Sequence, residues 1–348
     1  MATEPVVGWD VGGAHLKAAR LNASGAVEQA VQLPCPLWQG MDQLHDALDR
    51  ALAILQPARR HAVTMTGEMV DLFPDRAEGV KRLVAAMRER LPDAALCFYA
   101  GAAGFLTGDQ AVSAPMRIAS ANWMASAALV AAQVPAALFI DIGSTTTDLI
   151  VVRDGRPAPR GRDDFGRLVT GELLYTGIAR TPLMAVTRMV PFEGDWVPLM
   201  AEYFATTADV YRLAGLLPDS ADQHPAADGG EKTVAGSARR LARMIGRDLE
   251  SAPLPAWQRL ADWLVRTQVR QIEEACDRLL SREEVASDAP LVAAGVGRFI
   301  ALDIAARLHR EGLEFAAFLS ASGAEAGRVS DCAPAVAVAW LAGHEAMQ

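Results

Sequence analysis

Hydrophobic and polar positions along the chain predict a mixed α/β protein. Val6–Val11 and Leu16–Ala19 are short apolar runs parted by Gly12-Gly13. With a second turn at Asn22-Ala23-Ser24-Gly25, residues 5–33 predict a three-stranded meander. Met41 to Gln56 is apolar at 41, 44, 48, 52 and 55, the helical period, and Pro57 closes it. His61–Met65 and Ala95–Tyr99 read as strands, and Gly79–Arg90 as a helix ending at Pro92. Ala119–Gln133 predicts a helix of small residues, with Asn122 near its start as a cap or ligand contact. Ala137–Arg153 predicts a hairpin, closed by the turn pair Asp154-Gly155. Arg156–Asp164 reads as a Pro- and Arg-rich loop, and Thr170–Gly177 as a loop running into a helix. Residues 185–256 show the least regular pattern, Trp257–Leu280 a long amphipathic helix. Leu291–Ile300 then spells strand, glycine turn and helix, and Ala335–Ala342 a closing helix.

Within this pattern one spelling occurs twice. Phe139-Ile140-Asp141-Ile142-Gly143 ends an apolar strand in Asp-x-Gly, and Ser144, Thr145, Thr146 and Thr147 follow before Asp148 on the next strand. Trp9-Asp10-Val11-Gly12-Gly13 does the same near the N-terminus. Glycine lets the backbone turn where a Cβ would clash. A polar turn at a strand end can cradle phosphate oxygens, and a carboxylate beside it can hold a hydrated Mg²⁺. An ordinary hairpin with a Ser/Thr-rich turn has the same spelling, but two matched units suggest two related halves facing a common cleft. Thr66-Gly67-Glu68, after a strand, is a further candidate for such a cleft.

These residues resemble the two phosphate loops of the actin-like superfamily, which includes sugar and acetate kinases, chaperone ATPases and the hydantoinase A/oxoprolinase proteins. Thr64-Met65-Thr66-Gly67-Glu68-Met69 and Gly171-Glu172-Leu173-Leu174-Tyr175-Thr176-Gly177-Ile178-Ala179-Arg180-Thr181-Pro182 narrow the resemblance. They are similar to hydantoinase/oxoprolinase-type proteins of tetrahydromethanopterin-linked one-carbon pathways, relatives of the archaeal synthases of methanofuran biosynthesis. The resemblance implies an actin-like (ribonuclease H-like) duplicated two-domain α/β fold with a central phosphate-binding cleft. Residues 1–134 plus 331–348 would form the first domain. Residues 135–330 would form the second, with an insertion at about 185–256. The superfamily's adenosine-binding segment would fall on Gly295 and Gly297, although Val296 separates two glycines that are usually adjacent.

Composition narrows the partners. The 348 residues are 51% hydrophobic and 22% charged, with a net charge of −9, which argues against a nucleic-acid footprint. No apolar run reaches the ~20 residues of a membrane span, and Met1–Pro5 lacks a signal peptide's basic and apolar regions. Four scattered cysteines suit a reducing, cytoplasmic compartment. Lys17, Lys81 and Lys232 are the only lysines. Lys17, beside the first glycine turn, is a point-charge partner for phosphate or else a solvated strand residue. Asp222, His224 and Asp228 match no strong metal motif and read as a solvated loop.

The resemblance implies a transferase that joins an aminomethylfuran-CH₂-diphosphate to the phenol of γ-glutamyltyramine and releases pyrophosphate. Asp148, Lys17 and Asp141 would be catalytic, Asp148 as general base. Asp10, Gly12, Gly13, Gly143, Ser144, Thr145, Thr146, Gly295 and Gly297 would line the phosphate ligand. Mg²⁺ would sit on Asp10 or Asp141, and Tyr175 and Arg180 could touch substrate. Partners would be the diphosphate and the phenolic acceptor, in a chain that could form a homo-oligomer. Two other readings stand beside it: an ATP-dependent kinase or hydantoinase-like enzyme, and a nucleotide-gated binding protein without chemistry.

Overall fold

The structure, a computed structural model, describes residues 4–321 and 325–345. Fourteen strands are present among them. Val6–Val11 (β1), His15–Leu21 (β2), Val27–Pro34 (β3), Arg60–Met65 (β4), Ala95–Tyr99 (β5) and Phe105–Leu106 (β6) form one sheet in the order β3-β2-β1-β4-β5-β6. The first three strands are antiparallel, as the meander predicts, while β4 and β5 continue parallel to β1.

A second sheet repeats this order. Its strands are Ala137–Ile142 (β7), Thr147–Arg153 (β8), Arg156–Pro157 (β9), Leu173–Leu174 (β10), Leu291–Ala294 (β13) and Gly312–Glu314 (β14). The path is β10-β8-β7-β13-β14, with β9 against β8. With β6 of the first sheet and the off-path β9 of the second left out, both sheets run third, second, first, fourth, fifth. Met189–Phe192 (β11) and Asp195–Pro198 (β12) pair as a separate two-stranded ribbon.

The chain groups into two compact units, residues 1–139, 150–159 and 313–348, and residues 140–149 and 160–312. In the first unit, Val7, Trp9 and Val11 of β1 pack with Val63 and Met65 of β4 against Leu44, Leu48, Val80, Leu83 and Val84 of two helices, Met41–Ile54 and Arg76–Arg90. Alternation puts Gly8, Asp10, Ala62 and Thr64 on the other face. There the closing helix Ala333–Glu345 lies on β1: a Cβ on Gly8 would come within 1.9 Å of the Ala335 carbonyl oxygen. In the second unit Leu183, Val190, Val210, Leu241, Trp257 and Leu264 share a core.

Two regions differ from the expected pattern. Asp164–Thr170, where the pattern predicts no element between the loops ending at Asp164 and starting at Thr170, is a helix, capped by Asp163 and ended by Gly171 in the left-handed region at φ +76°. Thr170–Gly177 holds the short strand β10 instead of running into a helix. Residues 185–256 are more ordered than their pattern suggests. They carry the ribbon and the helices Thr207–Leu213 and Val234–Arg243, joined by the fully buried Arg240, which binds the Asp209 carboxylate at 2.7 Å. No helix among the described residues is long and apolar enough to cross a membrane.

Candidate functional site

The first turn is built by strand register. Asp10 is buried near the end of β1, with Lys17 directly opposite on β2 and Thr64 beside it on β4. Facing residues on paired strands hold their Cβ atoms about 4.5–5.5 Å apart, so the ammonium stem starts next to the carboxylate. The turn closes with the Gly12 N–H donating to the His15 carbonyl at 3.0 Å, and a Cβ on Gly12 would lie 2.8 Å from that oxygen. A Cβ on Gly13 would meet only a side-chain methyl of Val70, at 2.7 Å, and the Gly13 carbonyl accepts from the Leu37 N–H at 3.0 Å. Glu68, in the 3₁₀ turn after β4, is also buried and accepts a hydrogen bond from Ser120 Oγ at 3.0 Å. Ser120 has φ +52°, unusual outside glycine.

The second turn starts with the same bond. Gly143 N–H donates to the Thr146 carbonyl at 2.8 Å, and Asp141 is buried at the end of β7. Its surroundings differ. The N–H groups of Ile178, Ala179 and Arg180 donate to the carbonyls of Gly143 and Ser144 at 2.9–3.1 Å. Gly177 lies so close that a Cβ there would be 2.5 Å from both the Ser144 carbonyl carbon and the Thr145 nitrogen. That segment is itself held. Thr207 Oγ1 donates to the Gly177 carbonyl at 2.8 Å. Gln268 Nε2 donates to the same carbonyl at 2.9 Å and to Thr176 Oγ1 at 2.7 Å, while Gln268 Oε1 accepts from the Tyr211 hydroxyl at 2.8 Å.

Asp148 leaves the turn on β8. Its Oδ1 takes a hydrogen bond from Arg167 Nη2 at 2.7 Å, and Arg167, 1% exposed, also donates to the Glu172 carbonyl. Glu172 is fully buried. Burial opposes its charge, but the N–H groups of Arg160 and Gly161, the Arg282 guanidinium and the Thr170 hydroxyl outweigh this and lower its pKa.

Arg180 donates from Nη1 to Thr145 Oγ1 at 3.3 Å. Burial lowers the pKa of its guanidinium, opposed by the phenols of Tyr203 and Tyr175. Tyr203 itself is pushed up by burial.

Gly295 and Gly297 stand behind the second turn. Gly295 has φ +80°, and a Cβ there would lie 2.4 Å from Asp141 Oδ1; the Gly297 N–H donates to the Ile142 carbonyl at 2.8 Å. Close packing alone accounts for glycine at both positions. Among the described residues, no group of three or more His, Cys, Asp or Glu side chains could cage a metal. Mg²⁺ needs no cage: one or two carboxylates suffice when waters and phosphate oxygens complete the shell, and the single carboxylate at each turn fits that. Asp222 pairs with Arg212 and Lys232, and Asp228 with Arg240 and Arg243, so cations already occupy these carboxylates. Cys35, Cys276 and Cys332 are buried and form no disulfide, and burial pushes the Cys35 thiol up to about 12. Cys97 is only half-buried.

Two sheets of one strand order, each with an Asp-x-Gly turn after its first strand, define a protein of the actin-like α/β class. Residues 59–342 match the hydantoinase/oxoprolinase family, and the chain belongs to it. It is 26% identical over 278 residues to the (4-{4-[2-(gamma-L-glutamylamino)ethyl]phenoxymethyl}furan-2-yl)methanamine synthase of Methanocaldococcus jannaschii, covering 80% of this chain and 82% of that one. The synthase of the same name from Methanococcus vannielii is 32% identical over 112 residues, 32% of this chain and 50% of that relative. Among solved structures, nucleotide-free acetone carboxylase superposes with a TM-score of 0.51 at 9% identity, over 86% of this chain and 66% of that one. At that identity the likeness concerns the fold.

Proposed function

We propose that this chain is a transferase forming the aryl ether of a methanofuran-type cofactor. One substrate is an aminomethylfuran bearing a CH₂-diphosphate, the other the phenol of γ-glutamyltyramine. The phenol oxygen bonds to the CH₂ carbon, and the carbon–oxygen bond to diphosphate breaks. Pyrophosphate leaves with the electron pair, and the phenolic proton passes to a base. The observation that carries this reading is the match across four fifths of both chains to a synthase whose name describes a phenoxymethyl-furan.

The second turn is assigned to the diphosphate, with Ser144, Thr145 and Thr146 as its hydroxyl and amide donors. The first turn carries like chemistry, Asp10 beside Lys17, and is assigned to phosphate oxygens as well. Mg²⁺, held by Asp10 or Asp141, would supply charge neutralisation for the diphosphate. A phenol of pKa ~10 needs a base to react readily near neutrality, and Asp148 is assigned that part. Arg167 fixes one carboxylate oxygen of Asp148, which leaves the other to meet the proton.

The test is to incubate the purified chain with Mg²⁺, the furanylmethyl diphosphate and γ-glutamyltyramine, and to follow ether product and pyrophosphate together. One pyrophosphate per ether is expected. ATP cleavage that depends on an acceptor, with no ether formed, would replace this reading with the kinase or hydantoinase-like one.

A further inference from the structure

We propose that Arg180 is the cation of the second turn, holding the terminal phosphoryl oxygens of the bound diphosphate and the pyrophosphate that departs. This rests on the diphosphate reading of that turn and adds to it a residue and a place for the charge.

Three observations converge on Arg180. Its backbone belongs to the turn: its N–H donates to the Ser144 carbonyl at 2.9 Å. Its guanidinium reaches back over the same loop to Thr145 Oγ1, at a long 3.3 Å. A contact of that length to a neutral hydroxyl is weak, and a phosphate oxygen arriving at the hydroxyl would offer the fork a stronger, charge-assisted partner. Thirdly, the group is partly withdrawn from water, beside the neutral Tyr175 and Tyr203 phenols. A guanidinium stays cationic at neutral pH. In a low-dielectric setting its attraction for an arriving anion is several-fold that in water.

The bracing of the segment gives this position its precision. Gly177 to Arg180 are tied to the turn by the three N–H bonds, and Gly177 by Thr207 and Gln268. The guanidinium is thus carried on backbone whose register with Ser144 and Thr145 is fixed, as charge stabilisation of a leaving group requires. Tyr175 and Tyr203, whose phenols neighbour the guanidinium, are 66% and 53% exposed.

The experiment is a calorimetric titration of the full chain with Mg²⁺-pyrophosphate, beside a thermal melt of each variant. Wild type binds. Arg180→Met loses roughly a hundredfold in affinity with little change in Tm. Arg180→Lys, with charge but no fork, loses about tenfold. Arg180→Gln keeps a donor toward Thr145 without the charge; it should match Met in binding and serves in its place if Met unfolds. If wild type binds pyrophosphate and a folded Met or Gln variant binds equally well, the Arg180 assignment falls alone. If wild type binds none, the diphosphate reading falls and takes the assignment with it.

Discussion

The two Asp-x-Gly turns begin alike and are finished differently. Each closes with a glycine N–H bonding to the carbonyl three residues on. Around the first, the neighbours of the acid come from strand register: Lys17 across one ladder, Thr64 across the other. Around the second, the turn backbone itself is held by a distant segment, residues 176–181, in turn anchored by residues 207, 211 and 268. A strand ladder places the acid's neighbours at the first turn by arithmetic, and its backbone takes bonds from the Leu37 N–H to the Gly13 carbonyl and from the Thr66 N–H to the Val11 carbonyl, both at 3.0 Å. The second owes its shape to buried hydrogen bonds between segments far apart in sequence, which makes it adjustable and also vulnerable.

The largest effect should come from chemistry at the second turn. Asp148→Asn keeps an oxygen for Arg167 but cannot take a proton. Turnover is expected to fall by two to four orders of magnitude, with the melting temperature nearly unchanged and pyrophosphate still bound. Near-normal turnover would pass the proton to another group. At the first turn, Lys17→Met removes one charge and should cost one to three orders in turnover with the fold intact. Full activity in Lys17→Met would leave the first turn a structural hairpin.

Next comes a methyl group placed on each turn. In Gly177→Ala the new Cβ meets backbone on the facing strand of turn, which cannot step aside. A misplacement of about 1 Å costs about a hundredfold in rate, and overpacking costs about 1–3 kcal/mol of stability. In Gly13→Ala the methyl meets only a Val70 side chain, and less than 1 kcal/mol and a few-fold in rate are expected. Paired melts and assays compare them, and equal tolerance at both positions would erase the contrast between the turns.

An effect on stability rather than on chemistry, with a pH signature, lies at Glu172. Its folded pKa is lowered, so its contribution to stability is present above the unfolded value of about 4.3 and is lost as pH falls through the folded pKa. Glu172→Gln should cost about 3 kcal/mol at neutral pH, where Arg282 loses its carboxylate. The gap to wild type should narrow below pH 4. A gap that is constant from pH 7 to 3 would mean the charge of Glu172 contributes nothing.

Much of the fold is legible in the sequence because its signals are local. The meander, the helix Met41–Ile54 and the strands β4, β5, β7 and β8 follow from period and turn residues alone. The Asp-x-Gly repeat points to both turns. The helix Asp164–Thr170 is missed as a helix because it spans seven residues with Gly166 inside; Asp163 before it and Gly171 after it were the available signals. The ribbon and helices of 185–256 take their order from buried partners such as Asp209 and Arg240, 31 residues apart. The brace of the second turn is least legible. Gln268 and Thr176 are separated by 92 residues, and nothing local in a glutamine on a long helix marks it as a clamp.

That clamp supplies the finest test. Gln268 is 1% exposed, and its amide must present nitrogen, not oxygen, to the Gly177 carbonyl. The Tyr211 hydroxyl selects that orientation by donating to Oε1, and burial pushes this phenol up, so it remains a donor at any working pH. Tyr211→Phe removes the donor and leaves Oε1 buried without a partner, a cost of about 1–3 kcal/mol. The two Nε2 bonds still favour the original orientation, since a flipped amide would set oxygen against oxygen. The turn should therefore keep its shape: the melting temperature drops by a few degrees, kcat/KM falls only a few-fold, and the affinity for pyrophosphate holds. A hundredfold loss of pyrophosphate affinity in a folded Tyr211→Phe would show that the amide orientation, rather than the backbone bonds of residues 178–180, sets the geometry of the turn.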